Sequence, residues 1–440
     1  MTSDHDTFLN ALPHGWGYDR LKDVVSLRDE KTAEASAEED YLELEDIESG
    51  TGKILGRRNT LEVESAVTVF RKGDVLFGKL RPYLAKYYVA EFDGKCTGEI
   101  LAFEPEHITS RFFFYCLGSR WFIERCNALA YGAKMPRVSW PTQLAQFYVP
   151  LPPFREQERI AAYLDESCAA IDAAVAAKRR QIETLDGVRK HVIQQTVTRG
   201  LESNPVLRRT GNVWMPQVPS TWELVNLKRI SEIQTGLTLG KVYEGQVIER
   251  PYLRVANVQD GHLDLAEVTT IEVPEDVARR VTLRVGDVLM TEGGDLDKLG
   301  RGTIWNGEIT DCLHQNHIFA IRCFRHKLLP SFLAYLTASQ YGRDYFEATG
   351  KRTTNLASTS SRKVGMFPIP QPPLDEQERI CIFLDEKVSD MGRIQASIES
   401  QIDTLTAYRK SLIHECVTGQ RRITEADVRR LNANINIDVA

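Results

Sequence analysis

No stretch of this 440-residue sequence stays apolar for the roughly 18 residues that a membrane-crossing helix needs. The opening MTSDHDTFLNALPHGWGYDR has neither the basic start nor the apolar core of a secretory signal, so a cytoplasmic location is expected. The eight cysteines are scattered without a single CxxC pair, which excludes a zinc ribbon and a disulfide framework and leaves reduced, buried thiols as the expectation. An excess of positive charge is missing too. The formal charge is −6, although acidic residues crowd into the segment DEKTAEASAEEDYLELEDIES, so the positions of Lys and Arg matter more than their sum.

Catalytic signatures are equally thin. Pro152-Pro153-Phe154 looks like the end of an amino-methyltransferase motif, but the residue that must accept a hydrogen bond from the target amino group is Leu151, which has no acceptor; in the second half Gln371 precedes Pro372-Pro373-Leu374. Gly350-Lys351-Arg352-Thr353 and Gly52-Lys53-Ile54 lack the upstream glycine and the adjacent Ser or Thr of a phosphate-binding loop. Asp93-Gly94-Lys95 fits only the tail of a nuclease motif and has no counterpart later in the chain. Cys312, His314, His317 and Cys323 fall on a β-type run, where alternation sends side chains to opposite faces, so core or turn roles are expected rather than a metal site. The expectation is a chain without a catalytic centre, a metal or a bound cofactor of its own.

What the sequence does contain is a duplication. PLPPFREQERIAAYLDE from Pro150 and PQPPLDEQERICIFLDE from Pro370 agree at eleven of seventeen positions, where composition alone gives about 6% per position. The offset of 220 holds without a gap for about fifty residues, to Val197-Thr198 and Val417-Thr418. Upstream, Pro13, Trp16, Leu21 and Lys22 match Pro219, Trp222, Leu227 and Lys228, and Gly73-Asp74-Val75-Leu76 matches Gly286-Asp287-Val288-Leu289. Each repeat is therefore a variable part followed by a constant part.

The constant parts have the apolar spacing of long coiled-coil helices. Leu164, Cys168, Ile171, Val175, Ile182, Leu185 and Val192 form one stripe, and Leu384, Val388, Met391, Ile398, Ile402, Leu405 and Leu412 form another, interrupted at Lys178, Gln395, Arg189 and Arg409. Proline pairs mark the starts and Gly200 and Gly419 the stops. Such a helix needs a partner for its stripe, and its own duplicate is the obvious one.

The variable parts mix short strands with turns and two helical runs, an α+β pattern. Two places in each concentrate side chains suited to DNA. The segment after Gly-Asp-Val-Leu carries Lys79, Arg81 and Lys86 in the first repeat and Lys298 and Arg301 in the second. The segment before the constant helix carries Lys134, Arg137 and Ser139, then Lys351, Arg352, Thr353, Asn355, Ser358 and Arg362. Arg and Lys take guanine edges or phosphates, Asn takes adenine, and Ser and Thr suit phosphate oxygens.

The two Pro-to-EQxRI signatures, the helices ending in Thr196-Val197-Thr198 and Cys416-Val417-Thr418, the GDVL strands and the Pro-x-x-Trp openings together resemble the specificity subunits of type I restriction-modification systems over essentially the whole chain. The resemblance implies two pseudo-two-fold-related α/β target-recognition domains, at 1–152 and 205–372, separated by two long antiparallel coiled-coil helices at 153–204 and 373–420, with a tail at 421–440. It implies a non-catalytic DNA-specificity function in a restriction system, each domain reading half of a bipartite asymmetric site. It further implies double-stranded DNA and two adenine-N6 methyltransferase subunits as partners, with S-adenosylmethionine in those subunits, and optionally two restriction subunits using ATP and Mg. A structural coiled-coil adaptor without DNA affinity is the alternative.

Overall fold

A computed structural model of the chain describes residues 4–32, 40–59, 67–241, 243–294, 299–300, 302–352 and 357–435. They form two compact units, one from residues 1–179 and 399–440, the other from residues 180–398. Each unit takes residues from both repeats.

The first unit contains strands β1 (Gly17–Arg20), β2 (Val25–Leu27), β3 (Lys31–Thr32), β4 (Tyr41–Leu42), β5 (Val67–Phe70), β6 (Val75–Gly78), β7 (Tyr87–Val89), β8 (Gly94–Cys96), β9 (Ile100–Pro105) and β10 (Tyr148–Leu151), with helices α1 (Leu21–Val24), α2 (Ser110–Gly118) and α3 (Arg120–Leu129). Its main sheet is antiparallel in the order β2-β9-β6-β7, a second runs β3-β5-β8-β4, and β1 pairs with β10. Helix α4 (Phe154–Arg199) then passes from this unit into the other.

The second unit repeats the plan with β11 (Leu207–Arg209), β12 (Gln217–Pro219), β13 (Glu223–Asn226), β14 (Ser231–Thr235), β15 (Ile248–Leu253), β16 (Thr269–Val273), β17 (Val288–Thr291), β18 (Gly293–Gly294), β19 (Gly302–Ile304), β20 (Leu313–His314), β21 (Ile318–Cys323), β22 (Lys351–Arg352), β23 (Ala357–Ser358) and β24 (Pro368–Gln371). Its helices are α5 (Glu275–Val281), α6 (Pro330–Ala338), α7 (Gln340–Thr349) and α8 (Ser361–Gly365), before α9 (Leu374–Val417) returns to the first unit and α10 (Glu425–Ile435) follows. The sheet β14-β21-β17-β19 matches β2-β9-β6-β7 strand for strand. The register carries the duplication as well: Gly17 faces Leu151 as Glu223 faces Gln371.

The residues common to both repeats hold these elements in place. Asp74 and Asp287, from the GDVL segments, are buried. Each accepts a backbone N–H three residues back, from Arg71 at 2.7 Å and Arg284 at 2.9 Å, and pairs with an arginine, Arg28 or Arg322. Ser119 and Ser339 cap α3 and α7 by accepting from Phe122 N and Gly342 N. Tyr115 donates to Asp165 at 2.6 Å, and Tyr335 donates to Asp385 at 2.5 Å. These bonds tie α2 and α6 to the starts of the long helices.

Both long helices start directly after a proline pair. Gly200, at φ +80°, follows α4, and Gly419, at φ +75°, follows α9 by two residues, conformations that glycine alone adopts at no steric cost. In the first unit Ile160, Leu164, Cys168 and Ile171 of α4 share a core with Leu412, Ile413, Cys416 and Val417 of α9. In the second, Val192, Ile193 and Val197 of α4 share one with Ile380, Cys381 and Leu384 of α9. The start of each helix thus packs with the end of the other, so the pair runs antiparallel. Of the stripe residues, Leu164, Ile171, Leu384, Ile398 and Leu412 are buried, while Val175, Ile182, Leu185, Val192, Met391, Ile402 and Leu405 are half-buried. No described helix is long and apolar enough to cross a membrane.

Candidate nucleic-acid interface

In each unit the two central strands of the main sheet leave it in the same register. Gly78 at the end of β6 faces Ile100 on β9, and Thr291 at the end of β17 faces Ile318 on β21. The next residue continues the ladder in both cases: Lys79 N donates to Glu99 O at 2.9 Å, and Glu292 N donates to His317 O at 2.8 Å. The segment after the second short helix then returns alongside. Val138 N donates to Lys79 O at 3.1 Å, and Thr359 N donates to Glu292 O at 2.8 Å. Leu80 bridges Arg137, which bridges Tyr131; Gly293 pairs with Ser358, which pairs with Lys351. The two regions that the sequence marks separately for DNA contact are therefore one ribbon, built twice.

The side chains on this ribbon differ between the units. In the first, Arg137 is half-buried and held on both sides: Nε donates to Glu99 Oε2 at 3.0 Å, Nη2 to Glu99 Oε1 at 3.1 Å and Nη1 to the Met135 carbonyl at 3.2 Å. Lys79 is half-buried beside it, and Tyr131 and Lys134 are exposed. A cleft of about 330 Å3 opens here, lined by Arg28, Lys31, Lys79, Tyr131, Arg137 and Trp140 among others. Ser139, also half-buried, donates its N–H to Gln143 Oε1 at 2.8 Å. Arg81 is exposed at φ +51°, with its backbone N–H on the Pro136 carbonyl at 2.7 Å.

Lys86 is engaged otherwise. Its Nζ donates to the carbonyls of Leu44 at 2.6 Å and Ile47 at 2.8 Å, and burial lowers its pKa. It holds a loop inside the domain, the role we assign to it in place of DNA contact.

In the second unit His317 Nδ1 lies 2.5 Å from Glu292 Oε2, with Ser358 half-buried and Lys351 and Arg362 exposed. Lys298, Arg301, Thr353 and Asn355 lie outside the described residues, as does the side chain of Arg352.

Glu99 and Glu292 escaped the sequence reading because a search for cations passes over carboxylates, and His317 was weighed there only as a metal ligand. The signal was present in the aligned repeats, where Gly98-Glu99-Ile100 stands opposite Asn316-His317-Ile318. The Cys/His run is dispersed in space. Cys312 is buried, with its thiol pushed up to about 12, His314 is buried with Nδ1 2.9 Å from the Ile318 carbonyl, and His317 turns to Glu292. All eight cysteines are buried and unpaired by disulfides. No group of three or more His, Cys, Asp or Glu among the described residues could hold a metal ion.

The type I restriction modification DNA specificity domain family matches residues 13–184. The chain is 28% identical over 205 residues to a Methanocaldococcus jannaschii protein named for the type I restriction enzyme MjaX specificity subunit, covering 46% of this chain and 47% of that one. It is 23% identical over 319 residues to the type I restriction enzyme EcoKI specificity subunit of Escherichia coli strain K12, covering 71% and 66%. The alignments thus span about half to two thirds of the length of these curated relatives. In fold, the chain is similar to one solved in work on complex assembly and conformational transition of the type I R-M system, with a TM-score of 0.72 at 20% identity, covering 93% of this chain and 99% of that one. It is also similar to the crystal structure of the HsdS subunit from Thermoanaerobacter tengcongensis, with a TM-score of 0.53 at 20% identity, covering 93% and 98%. The family match on residues 13–184, with the duplication that repeats this pattern in the second half, makes the chain similar to the specificity subunits of type I restriction-modification systems, and the solved structures share its fold.

Proposed function

We propose that the chain is the non-catalytic DNA-reading subunit of a type I restriction-modification complex, each recognition domain contacting one half of a bipartite, asymmetric site. The observation that carries this reading is the duplicated ribbon: one backbone arrangement, held by the same hydrogen bonds, presents Lys79, Glu99 and Arg137 in one unit and Glu292, His317 and Ser358 in the other. Phosphate contacts place a protein on the duplex, whereas edge contacts of this kind carry sequence information.

The antiparallel helices serve as spacer and as the docking surface for two adenine-N6 methyltransferase subunits, which bring S-adenosylmethionine. Restriction subunits, where the system has them, add ATP and Mg. The domains are those expected from the repeat, 1–152 and 205–372, and their cationic loops supply the phosphate contacts. The experiment is to express the chain with its cognate methyltransferase subunit and to map N6-methyladenine across the genome. A bipartite motif is expected, with one half changing when residues 1–152 are exchanged for those of a relative with another target. A motif that stays unchanged after the exchange overturns the reading.

A further inference from the structure

Most shared positions of the two repeats do the same work in both units. The buried Asp74 and Asp287, the Tyr115–Asp165 and Tyr335–Asp385 pairs and the Ser119 and Ser339 caps keep their bonds as well as their places. Three ribbon positions behave in the opposite way. Lys79 corresponds to Glu292, Glu99 to His317 and Arg137 to Ser358, with the backbone bonds kept and the side-chain chemistry changed, most sharply at the first. A cation stands in one unit where a carboxylate stands in the other.

We propose that these three positions write the base preference of each domain, the first set reading a guanine and the second a base that offers an amino hydrogen. This rests on the DNA-reading function proposed above. Glu99 takes the Nε and one Nη2 hydrogen of Arg137, and the Met135 carbonyl takes one from Nη1. The guanidinium keeps one Nη1 and one Nη2 hydrogen to donate, and two such donors suit guanine O6 and N7. Because Glu99 already fixes the side chain, little rotamer freedom remains to be lost on binding.

In the second unit Glu292 accepts from His317 through Oε2, and among the described residues Oε1 is left as an acceptor. An acceptor suits the amino group of cytosine N4 or adenine N6 and repels the O6 and N7 of guanine.

The test uses the full chain in complex with its methyltransferase partner, with N6-methyladenine mapped for the wild type and for Arg137→Gln, Glu99→Gln and Glu292→Gln. Co-purification with the methyltransferase checks the assembly of each variant. Arg137→Gln is expected to relax one guanine in one half-site, lowering discrimination there on the order of tenfold to a hundredfold, while the other half stays as in the wild type. Glu99→Gln, which keeps the shape of the support but frees the arginine, weakens discrimination at that same guanine. Glu292→Gln alters one cytosine or adenine position in the other half only, and which base it is separates the two amino donors. Unchanged base preferences in the assembled variants, or a uniform loss of methylation across all sequences, overturn the proposal. A wild-type complex that methylates no bipartite motif overturns the DNA-reading function instead.

Discussion

His314 is sealed in the second unit, with Nδ1 on the Ile318 carbonyl and Nε2 buried without a hydrogen-bond partner among the described residues. Burial disfavours its charged form and lowers its pKa to about 4 from 6.5. At neutral pH the ring is uncharged in both the folded and the unfolded chain. As pH falls below about 6.5 the unfolded chain takes up a proton that the folded one refuses, so stability is lost down to about pH 4, at a slope approaching 1.4 kcal/mol per pH unit. His314→Gln is expected to lose less stability between pH 7 and pH 5 than the wild type in chemical denaturation, and equal losses would contradict this. The role of this ring was partly legible: β alternation pointed to a core or turn position, but nothing in the sequence distinguished the two. Gln157 and Gln377 are a similar case. The repeat marked both as important, and only the structure explains why: each is buried, with its side-chain oxygen on the first N–H ahead of α2 or α6, at Thr109 or Leu329, and its amide nitrogen on the carbonyl of Pro152 or Pro372.

At the scale of elements, one repeat position supports two different arrangements. Arg409 of α9 is buried, 3.1 Å from Asp172 of α4, and donates to the Gly50 carbonyl at 2.9 Å; Lys53 joins the same aspartate at 2.9 Å. Its counterpart Arg189 is half-exposed and pairs with Asp186 on its own helix. Arg409→Ala leaves Asp172 without its buried cation and is expected to cost about 3 kcal/mol, whereas Arg189→Ala is expected to cost less than about 0.5 kcal/mol. Urea denaturation of the two variants decides, and equal costs would count against the assignment. The long helices were legible because their apolar period runs on for 29 residues, from Leu164 to Val192 and from Leu384 to Leu412. The ribbon was not, since its strands are two residues long or single bridges and their pairing depends on where α3 and α7 deliver the chain. The sequence therefore read Lys79 and Arg137 as members of separate loops.

Across the whole molecule, the duplicated stretch of sequence and the folded unit are different objects. A repeat holds one recognition domain and one long helix, while a folded unit holds one recognition domain and half of each helix. A fragment ending at Gly200 keeps the apolar stripe of α4 with neither α9 nor the opening Trp222, whose ring lies over Gly200 and whose Nε1 donates to Glu376 at 3.0 Å. It is expected to self-associate through that stripe, as a concentration-dependent dimer in sedimentation equilibrium, and a monomer at all concentrations would refute the expectation.

The first core completes itself in the same manner. Gly419, just past the end of α9, lies against Pro13 and Trp16 so closely that an added Cβ would fall 2.3 Å from the proline ring. Each domain is thus closed by the helix that follows the other domain. Two copies of one repeat would satisfy the same contacts while presenting two identical ribbons. The peptide bond between Gly200 and Leu201 therefore acts as an arranged marriage: it makes unlike halves meet where like halves could have met, and on the proposed reading the lopsidedness of the target comes from that single covalent link.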